Sequence, residues 1–431
     1  MLDCCGQLGR RRVPFLHGQR ESPAGEAWRI VISPHHRRRV LIGAYACGPL
    51  EEPEASAGWA CAVAAAATSD VWVVTRRRFA ESVEAKRCED PDLARHLTVI
   101  YTDLPDRVLA LRRHDWDMYW YYLLWQRALK GIARKLHARY HFDVAHHVTF
   151  ANDWLFCGLT DLPDVPLVWG PIGGASHIPY WRLRNWLGLK GLRTEIVRDV
   201  VTSVPRLVWG DAAARRASLV VAQNADVARR FSRFGDTVIE PNASLETVPL
   251  EGSRPTVGTG TTKTAVFAGR LIGLKGVRLA LDAIARTPQG AWRLVVYGDG
   301  YDRETLIGRA QRLGISDRVE FLGHRPRTEV LSAFETADAL LFPSMHDQAG
   351  WVAGEASSLG CPVVCLPLGG PPLLAEPNAF VASLDGDIVA NVAEQLELAG
   401  KTGGVRHNRW SRDRLPAMVD DWYRRVTRDE S

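Results

Sequence analysis

No run of about 18 consecutive apolar residues occurs in the 431-residue chain, so no segment reads as a membrane span. The first 27 residues hold no apolar core of the length a secretory signal needs. The eight cysteines stand at 4, 5, 47, 61, 88, 157, 361 and 365, with no CxxC pair and no zinc-ligand spacing. A reducing compartment and no structural metal follow, and the chain reads as cytoplasmic, free or at the inner face of a membrane. Cys361 and Cys365 flank the apolar run CPVVC and read as buried strand residues. GxxxxGK[ST], GxSxG and HExxH are all absent, and no GxGxxG follows the first strand. These absences argue against a P-loop nucleotidase, a serine-hydrolase elbow, a zinc protease and a dinucleotide fingerprint.

Charge of one sign is also scarce. Lys and Arg number 54 against 49 Asp and Glu, a surplus of 5 too dilute to favour nucleic acid. Only 7 of the 54 cations are Lys, a bias that reads as GC-rich coding. What the chain has in quantity is tryptophan: 11 of 15 fall within the first 210 residues. Such rings serve equally as core or as a face for a bulky partner.

Short apolar runs alternate with helical patterns along the chain. Expected strands are 40–46, 71–75, 97–101, 142–148, 165–169, 218–223 and 237–240, then 264–268, 292–297, 318–322, 339–342, 362–366 and 379–382. Helices are expected at 58–67 and 121–140 in the first half. In the second they are expected at 276–287, 302–313, 326–336, 350–359, 385–399 and 412–426. This is the signature of two tandem doubly wound, Rossmann-like α/β domains with a cleft between them. Residues 1–37 read as a polar leader and 245–262, rich in Gly, Pro, Ser and Thr, as a linker. Residues 38–244 with 410–431 then form the first domain and 263–409 the second. The 121–140 helix has a basic face (Arg127, Lys130, Arg134, Lys135, Arg139), which suits either a helix covering a sheet or peripheral contact with a membrane.

Chemistry gathers at two turns of the second domain. After the strand at 264–268 come Gly269, Arg270 and, five residues on, Lys275 before Gly276 opens a helix. Amides at a helix start beside an Arg fork and a Lys point charge suit a diphosphate. The second turn, 343–355, contains Asp347, Gln348, Ala349, Gly350, Trp351, Val352 and Glu355. Its acids, eight apart, suit sugar or ribose hydroxyls, and its free amides suit phosphate. Asp115-Trp116-Asp117 has the DxD form that holds a metal-bound nucleotide in another fold, but it stands where a loop enters a helix and reads as a cap.

These segments (GRLIGLKG at 269–276, VEFLGH at 319–324, FPSMHDQAGWVAGEA at 342–356, GCPVV at 360–364) resemble the donor domain of family-4, or group 1, retaining glycosyltransferases of the GT-B fold. The resemblance implies that Arg270 and Lys275 bind a nucleotide diphosphate and act in catalysis. It also implies that Asp347, a further catalytic candidate, binds the transferred sugar and Glu355 the ribose, with Gly269 and Gln348 to Val352 completing the donor site. The usual first acid of this motif is Glu. Asp347 is shorter by one methylene, about 1.5 Å, which hints at an unusual donor sugar or, second to that, at weakened catalysis. Weaker signatures in the first half are Gly58-Trp59, His146-His147-Val148-Thr149 and Trp169 to Gly174. They imply an acceptor side formed by Glu54, His146, His147, Gly173 and Gly174, with His147 a candidate catalytic group. The family's usual Gly-Ser-Glu is Glu52-Pro53-Glu54 here.

The function so implied is metal-independent transfer of a hexose-type sugar from a UDP- or GDP-sugar co-substrate, with retention and with no cofactor. The acceptor is a small molecule or a lipid-linked one, as in glycan or natural-product biosynthesis. A nucleotide-sugar epimerase and a non-catalytic nucleotide-sugar-binding protein are the alternatives.

Overall fold

The strands of the first half line up as one parallel sheet, because each is an apolar run that must be covered on both faces. In this computed structural model, which describes residues 37–50, 52–114, 116–250 and 262–427, they are β1 (Arg38–Ala44), β2 (Ser69–Thr75), β3 (Leu97–Tyr101), β4 (Val144–Thr149), β5 (Leu167–Ile172), β6 (Leu219–Ala222) and β7 (Thr237–Ile239). Their order is β3-β2-β1-β4-β5-β6-β7, with Val40 of the interior strand β1 facing Val71 on one side and Val144 on the other. The second half repeats the plan with β8 (Lys263–Ala268), β9 (Trp292–Tyr297), β10 (Val319–Gly323), β11 (Ala339–Phe342), β12 (Val363–Cys365) and β13 (Ala379–Val381). Their order is β10-β9-β8-β11-β12-β13, again all parallel. The expected leader, apart from Arg37, lies outside the described residues, as do 251–261 of the expected linker.

The two halves share one continuous body. The Val277–Arg286 helix covers the second sheet with Leu279, Ala280, Ala283 and Ile284, all fully buried. On the first sheet the Pro53–Thr68 helix presents alanines and Gly58, where a Cβ would stand 2.3 Å from the Ala46 carbonyl oxygen. Against it lies the Leu415–Thr427 helix, so the end of the chain returns to the first sheet with Val419, Trp422 and Tyr423 in its core. The Asp117–Tyr140 helix buries Tyr121, Tyr122, Trp125 and Leu129 on the same sheet, and Lys130 and Arg134 of its basic face pair with Asp161. Among the described residues no helix is long and apolar enough to cross a membrane.

The pattern gave no expectation for a kinked helix at Tyr180–Pro205. Gly188, Gly191 and its paired valines weaken helix propensity there. Gly188 is the kink itself, at φ 66°, where a side chain would run into the Arg278 guanidinium.

β4 corrects one expectation. His146 and His147 do not face a cleft: they are 0% and 1% exposed. His146 Nε2 donates to the Gly170 carbonyl at 2.9 Å, and its Nδ1 accepts from the Tyr423 hydroxyl at 2.8 Å. His147 Nε2 lies 3.1 Å from the Tyr122 hydroxyl. Every residue of β4 is buried, because the sheet is covered on both sides at this position, so alternation cannot bring either ring to solvent. Burial lowers His146 to about 4, and burial with the neighbouring His146 lowers His147 to about 3.

Two outcomes follow from this packing. Tyr423→Phe leaves a buried imidazole nitrogen with only the weak Cys61 thiol, 4.0 Å away, as a donor and should cost about 1–3 kcal/mol in urea unfolding; an unchanged midpoint would contradict the contact. Both rings are neutral when folded but protonate near pH 6.5 when unfolded, so the unfolded chain binds the extra protons. Stability should therefore fall as pH drops from 7 to 5, by about 2 kcal/mol per ring. The gap between the parent and His147→Gln should narrow over the same range, and a constant gap would show a solvated ring.

Candidate active site

The cleft is built where the carboxyl ends of β8 and β11 face the first domain. β8 runs out at Gly269, whose φ of 151° only glycine adopts freely, and the chain passes through Arg270 into a tight turn at Gly273–Lys275. Gly276, at φ 74°, starts the Val277–Arg286 helix; a side chain there would come within 2.0 Å of the Pro343 carbonyl oxygen. That close approach holds the two βα turns together. Lys275 reaches across it: its Nζ is 2.5 Å from Asp347 Oδ2 and 5.8 Å from the centre of the Phe342 ring. Beyond Asp347 the chain turns at Gly350, φ 79°, into the Trp351–Ser358 helix, whose first amides have no side-chain cap.

A cavity of about 430 Å³ lies over these turns. The second domain lines it with Gly269, Arg270, Lys275 and Asp347 to Val352, and the first contributes Glu54, Gln223 and Asn242. Burial raises the Glu54 carboxyl above its usual range, although its Oε2 accepts the Phe150 amide at 3.3 Å. An adjoining cavity of about 810 Å³ shares Gly269, Arg270 and Val352 with the first and adds Glu355, Tyr297, Asp299 and Arg327. Glu355 therefore lines the neighbouring compartment rather than the one holding Asp347. Its Oε1 accepts from Arg327 at 2.8 and 3.1 Å, and burial raises its carboxyl against the pull of that guanidinium. Arg270 stands exposed on the wall common to both cavities and makes no ion pair among the described residues.

Gln348 spans the cleft instead of merely lining it. Its Oε1 accepts the Gly174 amide at 2.8 Å, and its carbonyl accepts from Asn224 Nδ2 at 3.1 Å. Gly174, at φ 108°, has no space for a Cβ beside Asn152 and Asp153. Asp153 is a fully buried carboxylate held by Arg206 and Arg230, and it anchors the Gly173–Gly174 loop through Gly173–Asp153 backbone pairing. Sequence reasoning did not select Asp153, Gln223, Asn224, Asn242 or Arg327, which come from separate loops with no motif spacing.

It also passed over His346, next to Asp347 in the motif, whose Nδ1 is 3.2 Å from the buried Glu195 Oε2. Adjacency to Asp347 was the only signal available. The DxD-like stretch serves structure: Asp117 accepts the amides of Arg113 and His114 and the Trp120 indole, while Asp115 lies outside the described residues. Glu52 pairs with Arg78 on the surface, away from the cleft lining. No group of His, Cys, Asp and Glu arranged to hold a metal occurs among the described residues.

Residues 253–401 match the family model described as Glycosyl transferases group 1. A D-inositol 3-phosphate glycosyltransferase of Corynebacterium jeikeium is 33% identical over 202 residues, 45% of this chain and 46% of that protein. A 2-deoxystreptamine glucosyltransferase of Streptomyces kanamyceticus is 31% identical over 224 residues, 47% of this chain and 51% of that one. The chain thus spans about half the length of the curated relatives it matches. Over 91% of this chain the fold is that of sucrose-phosphate synthase from Thermosynechococcus elongatus, with TM-score 0.57, 17% identity and all of that chain covered. The lipopolysaccharide outer core galactosyltransferase WaaB matches with TM-score 0.55 and 15% identity, covering 91% of this chain and 98% of that one. Residues 253–401 are thus similar to group 1 glycosyltransferases, and the chain as a whole has the two-sheet GT-B fold.

Proposed function

We propose that the chain transfers a sugar from a nucleoside diphosphate donor to an acceptor hydroxyl, with retention at the anomeric carbon. The observation that carries this reading is the meeting of Lys275 with Asp347 under Arg270 and the uncapped helix start at Gly350. One small volume then offers positive groups for a pyrophosphate and a carboxylate for sugar hydroxyls. The names of the curated relatives support sugar transfer as the reaction.

The charges define the work of each group. As the anomeric C–O bond breaks, negative charge grows on the leaving diphosphate, and Arg270, Lys275 and the amides after Gly350 stabilise it. The acceptor oxygen bonds to the anomeric carbon on the face the diphosphate leaves. Its proton passes to a phosphate oxygen, so no protein base is required. His147, buried and neutral, takes no part in this scheme. Asp347 holds donor hydroxyls, and while the donor is away it neutralises Lys275. Glu355, in the adjoining compartment, takes the ribose, and that compartment has room for a UDP or GDP base. Since side chains and amides meet the phosphate charge, the reaction proceeds without a metal ion.

Two measurements test this. In a thermal-shift panel of UDP-, GDP-, ADP- and TDP-sugars, one donor at about 100 times its Kd should stabilise the protein by about 2.7 kcal/mol. A protein indifferent to the whole panel would sink the donor site. With that donor and with EDTA present, Lys275→Ala should turn over about 10²–10³ times more slowly than the parent. Near-parental turnover of the variant, or loss of parental turnover in EDTA, would overturn the scheme.

A further inference from the structure

The second half of the Tyr180–Pro205 helix is inverted with respect to an ordinary surface helix. Four of its polar groups turn inward there: Glu195 is 1% and Thr202 2% exposed, Arg198 turns toward His346, and Arg206 of the following turn reaches Asp153. Its apolar residues face outward: Ile196 37%, Val197 51%, Val200 69%, Val201 61% and Val204 65% exposed. At about 100° per residue these five fall on one arc of about 140°, and Leu207 and Val208 prolong the exposed run into the next turn at 65% and 56%. A face of this kind on a water-soluble surface marks a contact site.

Charge identifies the occupant. The three acids of residues 180–216, Glu195, Asp199 and Asp211, have side chains 1%, 25% and 6% exposed and already paired with arginines. Exposed cations stand at both ends of the apolar arc. Arg193 lies on the same face one turn before Ile196 and makes no ion pair among the described residues. At the other end Arg127 lies 6.0 Å over the Phe156 ring, which in turn meets Trp209 at 6.4 Å. Apolar side chains between cations, with acids withdrawn, fit the boundary between acyl chains and anionic headgroups.

We propose that this helix face docks the protein onto an anionic lipid bilayer as a peripheral contact. The face takes only Arg127 from the basic face expected on the 121–140 helix, whose apolar side covers the first sheet. Glu195 and Arg198 on the inward side touch His346, the neighbour of Asp347, so the docked face lies one side-chain layer from the cleft.

The test is flotation of the full chain with vesicles of phosphatidylcholine alone or with about 30% phosphatidylglycerol. The parent should bind the anionic vesicles, and bind less as salt rises. The double variant Val200→Asp with Val204→Asp should bind about tenfold more weakly, and Arg127→Glu with Arg193→Glu should lose the preference for anionic lipid. Both pairs are exposed, and melting temperatures within a few degrees of the parent would show that the fold is kept. Failure of the parent to bind either vesicle, or equal binding by all variants, overturns the proposal. So does a parent dimer by light scattering that Val200→Asp with Val204→Asp dissolves without any vesicle binding, since a second copy then covers the face. Nucleotide-sugar binding, followed separately on the same variants, tells failure of docking apart from failure of the donor site.

Discussion

The contact between Lys275 and Asp347 is the constraint around which the second domain is organised. Neither residue could reach the other unless the turns after β8 and β11 came within touching distance of backbone. That approach is why Gly276 stands where a side chain would enter the Pro343 carbonyl. The parallel sheet supplies the rest. All its strands point their carboxyl ends one way, so loops distant in sequence arrive at one edge with their helix starts facing the same volume. An ammonium and a carboxylate 72 positions apart are thereby neighbours in space, half-withdrawn from water, where charge acts more strongly than at an open surface.

How far this was legible depends on what each residue answers to. β3, β9 and β11 have the limits their apolar runs announce: β11 is buried throughout, while β3 and β9 keep enough β-branched and aromatic residues to mark a strand despite an exposed Thr98 and Arg293. The turns holding Gly269 to Gly276 and Asp347 to Glu355 were also visible, since glycine, cation and acid stand at fixed offsets from a strand end. What the sequence concealed was partnership. His146 and His147 look like reactive groups at a strand tip, yet they serve a buried seam with Tyr423 and Tyr122. Asp153 is one acid among 49 until Arg206 and Arg230 close on it from a later stretch of chain. Glu355 keeps the spacing of its motif but opens into the adjoining cavity, with Arg327 as its companion.

The kinked helix at Tyr180–Pro205 joins these themes. Its first half packs Leu183 and Leu187 against the core of the second domain, and the Trp186 indole donates to Asp282 at 2.7 Å. Its second half gives Glu195 and Arg198 to His346 and Arg206 to Asp153. A single element therefore touches both halves of the molecule and the turn that carries Asp347. Its glycine kink, which hid it from pattern analysis, is what lets one helix follow two surfaces.

Gln348 carries a last implication. It belongs to the turn of Asp347, yet its hydrogen bonds go to Gly174 and Asn224 on the opposite wall. The two bonds brace the turn of Asp347 against the first domain, so displacing either wall would break both together. The cavity around Asp347 therefore keeps its shape only while both walls stay in place.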